Sequence, residues 1–356
     1  MLRSVGRFLT SAILLFLSAL LMAAGKYLSS LLFPFYRDFS KKILAAIASV
    51  TGLLPFALWE ALLALGLLLF LYSIFHTIFG KKRFLGWLSG LTLTLSVLIF
   101  LFVALWGLNH YAPPLSQELG LQIECYSEQQ LTDAARYYLQ QANAEAAQVP
   151  RDSDGQIVLP EFSQLGAEAG NAFTPLAGTY PIFSGSDAPV KKAALTGRLL
   201  SYTGTTGIFI AFTSESTVNP DTDAASLAHT MCHEAAHRCG IAAEDEANFA
   251  AYLACQASES ALFRYSGAYC AFIYCYNALY KQDPAAARAL FQEADALLQA
   301  DSQRASTHYA QYEGAVQDAA QKANDTYLKA FSEPSGVQSY GEAADYLIAW
   351  YLKIST

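Results

Sequence analysis

The chain has 356 residues, a formal net charge of −8 and an apolar fraction of 54%, with only 15% charged residues. This composition is unusual for a wholly soluble protein. Residues 1–108 carry nine Lys or Arg and two acids, whereas residues 109–356 carry 13 Lys or Arg and 28 acids. The acidic C-terminal part lacks the basic excess that nucleic-acid binding needs, so no nucleic-acid partner is expected.

Three runs in the first 108 residues are long and apolar enough to cross a bilayer. They cover residues 8–25, 61–80 and 84–108 and contain no Asp, Glu, Lys or Arg. About 20 helical residues span the hydrocarbon core. The sequence therefore predicts a transmembrane region over residues 1–108, with the lipid bilayer as a partner.

The first run has a second interpretation. Arg3 and Arg7, the apolar stretch and the small residues 23–25 also resemble a cleavable signal peptide. Two further spans follow, which favours a membrane anchor.

The short basic loop at residues 81–83 predicts a cytoplasmic position for that loop. Three spans then place residues 109–356 outside the cytoplasm, in a multi-pass protein of the cell membrane. The loop at residues 26–51 opposes this orientation, because its four basic residues would also lie outside. Its segment 33–50 is alternatively an amphipathic helix on the membrane surface.

The polar part, residues 109–356, is predicted to be mostly helical with one short β element. Ser127 and Gln130 have the spacing of a capping box before a helix that ends near residue 147. Residues 207–212 are β-rich. Helices are expected at roughly 224–239, 244–280, 284–300, 303–331 and 340–353.

Residues 233–237 read His-Glu-Ala-Ala-His. Histidines at i and i+4 stand one turn apart on one helix face, so both can reach a single Zn²⁺. In this motif Glu234 is the general base of a metallopeptidase. His233 and His237 are therefore predicted metal ligands, and Zn²⁺ is the predicted cofactor.

A third ligand is expected just after the turn at Gly240, where Glu244 and Glu246 follow. On a helix these two carboxylates face about 200° apart and cannot both serve. Glu244 shares its face with small residues and with Asn248, which could hydrogen-bond a ligand histidine. Glu244 is preferred, and Glu246 remains the alternative.

These residues resemble the Glu-zincin pattern, in which Glu-x-x-Ala-Asn downstream of His-Glu-x-x-His supplies the third ligand. The run His233 to Cys255 is more closely similar to an uncharacterised family of bacterial membrane proteins with N-terminal spans. That resemblance implies a zincin-like domain over residues 109–356. The family has no established substrate. Two departures stand out. The spacing between His237 and Glu244 is shorter than in typical Glu-zincins. His237 and Gly240 also resemble the metzincin motif, but Ala243 occupies the place of its third histidine.

Other residues are weaker candidates. The thiols of Cys232 and Cys239 flank the motif, and His229 extends its stripe of histidines. An extended substrate could pair with residues 207–212 as an edge strand, and Glu215 could face a substrate cleft. The side chains considered for stabilising an oxyanion are Tyr252, Arg264, Tyr265 and Tyr269.

The predicted function is a membrane-anchored zinc metallopeptidase that hydrolyses peptide or protein substrates outside the cytoplasm. The alternative is a non-catalytic membrane protein whose zincin scaffold binds metal for structure or senses a ligand. Intramembrane proteolysis is disfavoured, because the motif lies in the polar part of the chain.

Overall fold

The computed structural model describes residues 2–80, 84–331 and 339–355 of the chain, and the fold is mainly helical, as predicted. Four helices come first: α1 (Leu2–Tyr27), α2 (Ser29–Thr51), α3 (Leu58–Phe79) and α4 (Phe84–Leu105). Helices α1, α3 and α4 are long and apolar enough to cross a membrane. The three apolar segments are therefore confirmed, while the basic loop at residues 81–83 lies outside the described residues.

The three apolar helices contact the rest of the protein at one end of the group. Arg7 donates to the Gly86 carbonyl at 3.4 Å, and Gly25 lies against Leu108 and Tyr111, so α1 runs parallel to α4. Helix α3 runs the other way. The C-termini of α1 and α4 and the N-terminus of α3 consequently meet the C-terminal part of the chain.

Residues 33–50 are helical, as expected for an amphipathic segment, and form most of α2. One face of α2 is buried against the end of α4 and the C-terminal part. Ser40 donates to the Leu105 carbonyl at 2.7 Å, and Lys41 donates to the Ile182 carbonyl at 2.8 Å. The opposite face exposes apolar side chains, those of Leu31, Phe35, Phe39 and Val50.

The C-terminal part consists of short and medium helices and a small sheet. The helices are α5 (Leu115–Leu119), α6 (Glu128–Ala146), α7 (Phe162–Asn171), α8 (Thr174–Ala177), α9 (Gly197–Thr203), α10 (Leu227–Arg238), α11 (Glu244–Gln256), α12 (Ala261–Gln282), α13 (Pro284–Phe291), α14 (Ala296–Ala310), α15 (Ala315–Ala330) and α16 (Ser339–Ser355). Single 3₁₀ turns cover Gly107–Tyr111 and Pro181–Phe183.

The predicted β element is part of a three-stranded sheet. Strands β1 (Lys191–Lys192), β2 (Gly207–Ile210) and β3 (Glu215–Val218) are arranged in the order β1-β3-β2. Strand β3 pairs in parallel with β1 and antiparallel with β2. Within the described part of the chain, β2 is thus an edge strand.

Helix boundaries differ from the sequence prediction where tertiary contacts intervene. The capping box of Ser127 and Gln130 is present. The helix expected over 244–280 is divided into α11 and α12, and the region 284–331 holds three helices instead of two. The break after α13 is held by α6, because the Asn143 amide donates to the Glu293 carbonyl and accepts from the Asp295 backbone N–H.

The core lies between α6, α10, α11, α12 and α16. Every residue of α10 is buried. The helix that carries the His-Glu-Ala-Ala-His motif is therefore at the centre of the domain, surrounded by packed side chains that limit its movement.

Carboxylates connect α3 to the sheet. Glu215 forms a buried ion pair with Lys191 at 2.7 Å and accepts the backbone N–H groups of Leu58 and Trp59 at 2.8 and 2.9 Å. The carboxylate thereby satisfies orphan donors at the N-terminus of α3. The cleft role considered for Glu215 is not what the structure shows, because this side chain is only 1% exposed and is engaged in these contacts.

Glu60 makes the reciprocal connection. Its carboxylate, near the start of α3, accepts the backbone N–H groups of Ala194, Leu195 and Thr196 at 2.7 to 3.1 Å. These residues lead into α9. The first apolar helix after α2 is therefore bonded directly to the C-terminal part of the chain.

Candidate metal centre

Helix α10 presents the motif histidines because both of its ends are well defined. Asp223 accepts the backbone N–H groups of Ala225 and Ser226 in the turn just before the helix starts. Asp221, two residues earlier, accepts from the hydroxyls of Ser201 and Tyr312.

Gly240 follows the helix with a φ of 83°, the left-handed conformation that glycine favours at a helix C-terminus. The chain then reverses into α11, whose first residue is Glu244. This reversal returns the first turn of α11 to the two histidines.

The side chains of His233, His237 and Glu244 converge. The two Nε2 atoms lie 3.1 Å apart, and Oε2 of Glu244 lies 3.1 Å from His233 Nε2 and 3.9 Å from His237 Nε2. One potential ligand atom from each residue lies within 4.8 Å of the others. Both histidines are about 8% exposed, so the cluster is largely removed from water.

The second nitrogen of each imidazole is held by an acceptor. His237 Nδ1 lies 2.7 Å from the Ile241 carbonyl, and His233 Nδ1 lies 2.8 Å from Oδ1 of Asn248. Tyr274 also donates to that amide oxygen, at 3.0 Å. A carbonyl can only accept, so Nδ1 carries the proton and Nε2 keeps its lone pair for a metal.

These distances fit a tetrahedral zinc site. Two zinc bonds of about 2.0–2.1 Å at a tetrahedral angle place their ligand atoms about 3.3 Å apart. The separations of 3.1, 3.1 and 3.9 Å bracket that value. Three protein ligands would leave the fourth position open, as in catalytic zinc sites.

The two candidate carboxylates have different surroundings. Glu246 accepts the Leu115 backbone N–H at 2.7 Å and the Tyr346 hydroxyl at 2.9 Å. Because the two residues are two positions apart on α11, only Glu244 reaches the histidines. Asn248, one turn further on, is the residue that hydrogen-bonds His233.

Glu234 lies beside the cluster on the cavity wall. Its side chain packs against Gly207 of β2, where an added Cβ would come within 2.4 Å of Glu234 Oε1. Its Oε2 is buried and has no hydrogen-bond partner among the described residues. Burial raises the pKa of this carboxyl to about 8, and the nearby His233 only partly offsets the effect.

The pKa values of the cluster favour a positive charge on His233 and a negative charge on Glu244. Burial opposes protonation of His233, but the hydrogen bond and charge of Glu244 outweigh it and raise its pKa. Burial would raise the pKa of Glu244, yet the two histidines lower it to about 2. Burial lowers the pKa of His237 to about 4. A buried anion beside two imidazoles suits a cation.

A cavity of about 760 Å³ opens onto these side chains. Residues 203–209 form one wall, and α15 contributes a second through Gln321, Asn324 and Tyr327. Trp106 and His110, which follow α4, also line it. His110 Nε2 lies 3.0 Å from the Tyr327 hydroxyl.

Sequence reasoning missed most of these cavity residues. Trp106, His110, Tyr274 and Tyr327 come from three separate segments, and no local spacing connects them to the motif. His110 carries the only available signal, as one of six histidines in the chain.

The predicted oxyanion candidates are engaged elsewhere. Tyr265 donates to Asp301 at 2.6 Å, and Tyr252 donates to Gln141 at 3.1 Å. Arg264 pairs with Glu145 at 3.0 Å. None of these three, nor Tyr269, is among the described residues that line the cavity.

The neighbouring thiols and His229 also lie apart from the cluster. Cys232 and Cys239 are buried free cysteines, and neither is part of the convergent group among the described residues. His229 Nε2 contacts the Asn248 backbone carbonyl at 3.1 Å. This histidine thus supports the position of Asn248, which in turn holds His233.

The fold and the site define a mainly helical, membrane-associated protein with a buried His-His-Glu cluster on a cavity wall. The chain belongs to the family described as "Protein of unknown function (DUF3810)", whose model matches residues 35–348. The sequence resemblance predicts an uncharacterised family, and the match confirms that prediction. No curated protein and no solved structure matches the chain.

Proposed function

We propose that the protein is a membrane-anchored zinc metallopeptidase that hydrolyses peptide bonds outside the cytoplasm. His233, His237 and Glu244 would hold the zinc, and Glu234 would act as the general base. The observation that carries this proposal is the convergence of three ligand atoms beside a buried, unpaired carboxylate oxygen on a cavity wall.

A bound Zn²⁺ would supply Lewis acidity, which polarises a peptide carbonyl and makes water acidic near neutral pH. The chain's own groups would handle the proton. Oxygen Oε2 of Glu234 faces no other partner among the described residues, so it is available to accept a proton and later donate it to the leaving amine. A structural zinc site would not require such a carboxylate.

Strand β2 offers a place for an extended substrate. It is an edge strand that begins at Gly207, against Glu234, and residues 207–209 line the cavity. A peptide added to this edge would make backbone hydrogen bonds and lie beside the general base.

The external location rests on the order of the spans. The C-terminal part meets the C-termini of α1 and α4, opposite the end that carries Arg3 and Arg7. Basic residues favour the cytoplasmic side, which supports an extracytoplasmic C-terminal part.

The zinc content of the full-length protein in detergent tests the metal site. We expect about one zinc per chain in the wild type, and loss of most of it in His233→Ala and in Glu244→Ala. Glu246→Ala is the matched control, since this residue has other partners. A folded wild type without zinc would refute the proposal and leave a non-catalytic scaffold.

Gly207→Ala tests the position of the general base. The new Cβ would displace the Glu234 carboxylate, and a misplacement of about 1 Å can cost on the order of 100-fold in rate. We expect such a loss in hydrolysis of a randomised peptide library read by mass spectrometry, with zinc retained.

Gly178→Ala is its control, because a Cβ there meets nothing within 4 Å. Equal activity of Gly207→Ala and wild type would contradict a general base fixed against β2 at this position.

A further inference from the structure

The exposed face of α2 carries large apolar side chains, with the charged residues Asp38 and Lys42 between them. Leu31, Phe35 and Phe39 follow at intervals of four residues, and Val50 continues the same exposed side. Phe35 is 75% exposed. A helix with one face packed on its own protein and an apolar outer face is typical of a membrane-surface helix.

Contacts with α4 indicate the level of α2 relative to the spans. Phe33 and Tyr36 pack with Val103 and Leu108, and Ser40 reaches the Leu105 carbonyl. All of these contacts are at the last turn of α4 or just beyond it. Helix α4 has 22 residues, which rise about 33 Å, close to the thickness of the hydrocarbon core. Helix α2 therefore lies level with the end of this apolar helix.

A second apolar group lies at the same level. Leu195 and Leu199 are 72% and 62% exposed, and the Leu195 backbone N–H donates to Glu60. Glu60 is the third residue of α3, which also has 22 residues. Leu195 and the adjoining α9 therefore lie level with the start of α3.

The candidate metal centre is close to this level. Trp106, the residue after α4, makes an edge contact with His237, with ring centroids 6.1 Å apart. Phe102, in the last turn of α4, contacts Tyr327 of the cavity wall at 6.4 Å between centroids. The cavity thus begins where the span ends.

We propose that the apolar surface formed by Leu31, Phe35, Phe39, Val50, Leu195 and Leu199, the membrane-facing surface, rests in the bilayer interface. The cavity is thereby held at the membrane, and its substrates are peptide segments immediately beside the bilayer, in membrane-anchored chains. The surface continues the spans, which favours lipid as its occupant over a second protein. The substrate class rests on the proposed peptidase function, whereas the membrane contact does not.

Spin labelling of the full-length protein in lipid vesicles tests the contact. Labels are attached in Phe35→Cys and Leu199→Cys variants that also carry Cys125→Ser, because Cys125 is the exposed native thiol and the others are buried. Collisions with oxygen report lipid, and collisions with a water-soluble nickel chelate report water. We expect both labels to meet oxygen and to be shielded from nickel.

Val158→Cys in the same background is the matched control, since Val158 is an exposed apolar residue in the loop before α7. Its label should meet nickel. Labels at positions 35 and 199 that behave like the control would overturn the proposal. So would labels shielded from both reagents, with spin–spin broadening between chains, because that pattern indicates a second copy of the chain.

Tethered peptides test the substrate class. A randomised peptide segment is placed directly after a transmembrane anchor, or after a flexible Gly/Ser spacer of about 40 residues, and reconstituted with the enzyme in vesicles. We expect the adjacent segment to be cut about tenfold faster, because it is held at the level of the cavity.

Equal rates would overturn the substrate class and leave the peptidase intact. If neither segment nor the free library is cut, the peptidase proposal fails, and the spin-label result still decides the membrane contact.

Discussion

Glu234→Gln is expected to abolish peptide hydrolysis while the zinc content stays at about one per chain. General base catalysis contributes about 10² to 10⁴-fold, so activity should fall by at least the lower bound. The amide has the same shape as the carboxylate but cannot accept the proton. Glu234 is no part of the convergent ligand group, so metal binding should survive.

The two readouts separate catalysis from structure. Hydrolysis of the randomised peptide library is measured beside the zinc content of the same preparation. A Glu234→Gln variant that retained wild-type hydrolysis would remove Glu234 from the mechanism. A variant that lost zinc would show that this carboxylate holds the metal site together instead.

Glu215→Ala is expected to cause the largest loss of stability. The ion pair with Lys191 is buried, and removal of one partner leaves an uncompensated charge at a cost of about 3–5 kcal/mol. Two backbone N–H groups of α3 lose their acceptor at the same time. The thermal unfolding midpoint of the full-length protein in detergent should fall clearly.

Glu118→Ala supplies the comparison. Glu118 pairs with Arg37 at 2.5 Å, but its side chain is 39% exposed. Exposed ion pairs contribute about 0–1 kcal/mol, so this variant should unfold close to the wild type. Equal losses in both variants would mean that the Glu215 contacts add nothing beyond a surface charge pair.

The parts of the site that sequence could predict are those fixed by helix geometry. His233 and His237 lie one turn apart on any helix, and the turn at Gly240 returns the chain within a few residues. Glu244 and Glu246 face opposite sides of a helix, so the sequence predicts that only one of these two carboxylates is the third ligand. Asn248 follows by the same periodicity.

The rest depends on contacts between distant segments. Trp106 and Tyr327 reach the cavity from segments that are far apart in the sequence, and no periodic pattern predicts that they meet. The pairing of Glu215 with the start of α3 is equally non-local. Sequence position near the motif also fails to identify the residue that stabilises an oxyanion. Aromatic residues near a motif are most often buried in the hydrophobic core, as Tyr265 is.

The connections from α2 and α3 into the C-terminal part have a consequence for biosynthesis. Lys41, Leu44 and Glu60 are buried against residues that are synthesised 100 or more positions later. Chains fold from the N-terminus as they emerge, so the apolar helices enter the bilayer before their partners exist. The C-terminal part then folds against the inserted helices. A fragment that starts at residue 109 would lack these packing partners. The N-terminal helices are thus part of the folding unit as well as an anchor.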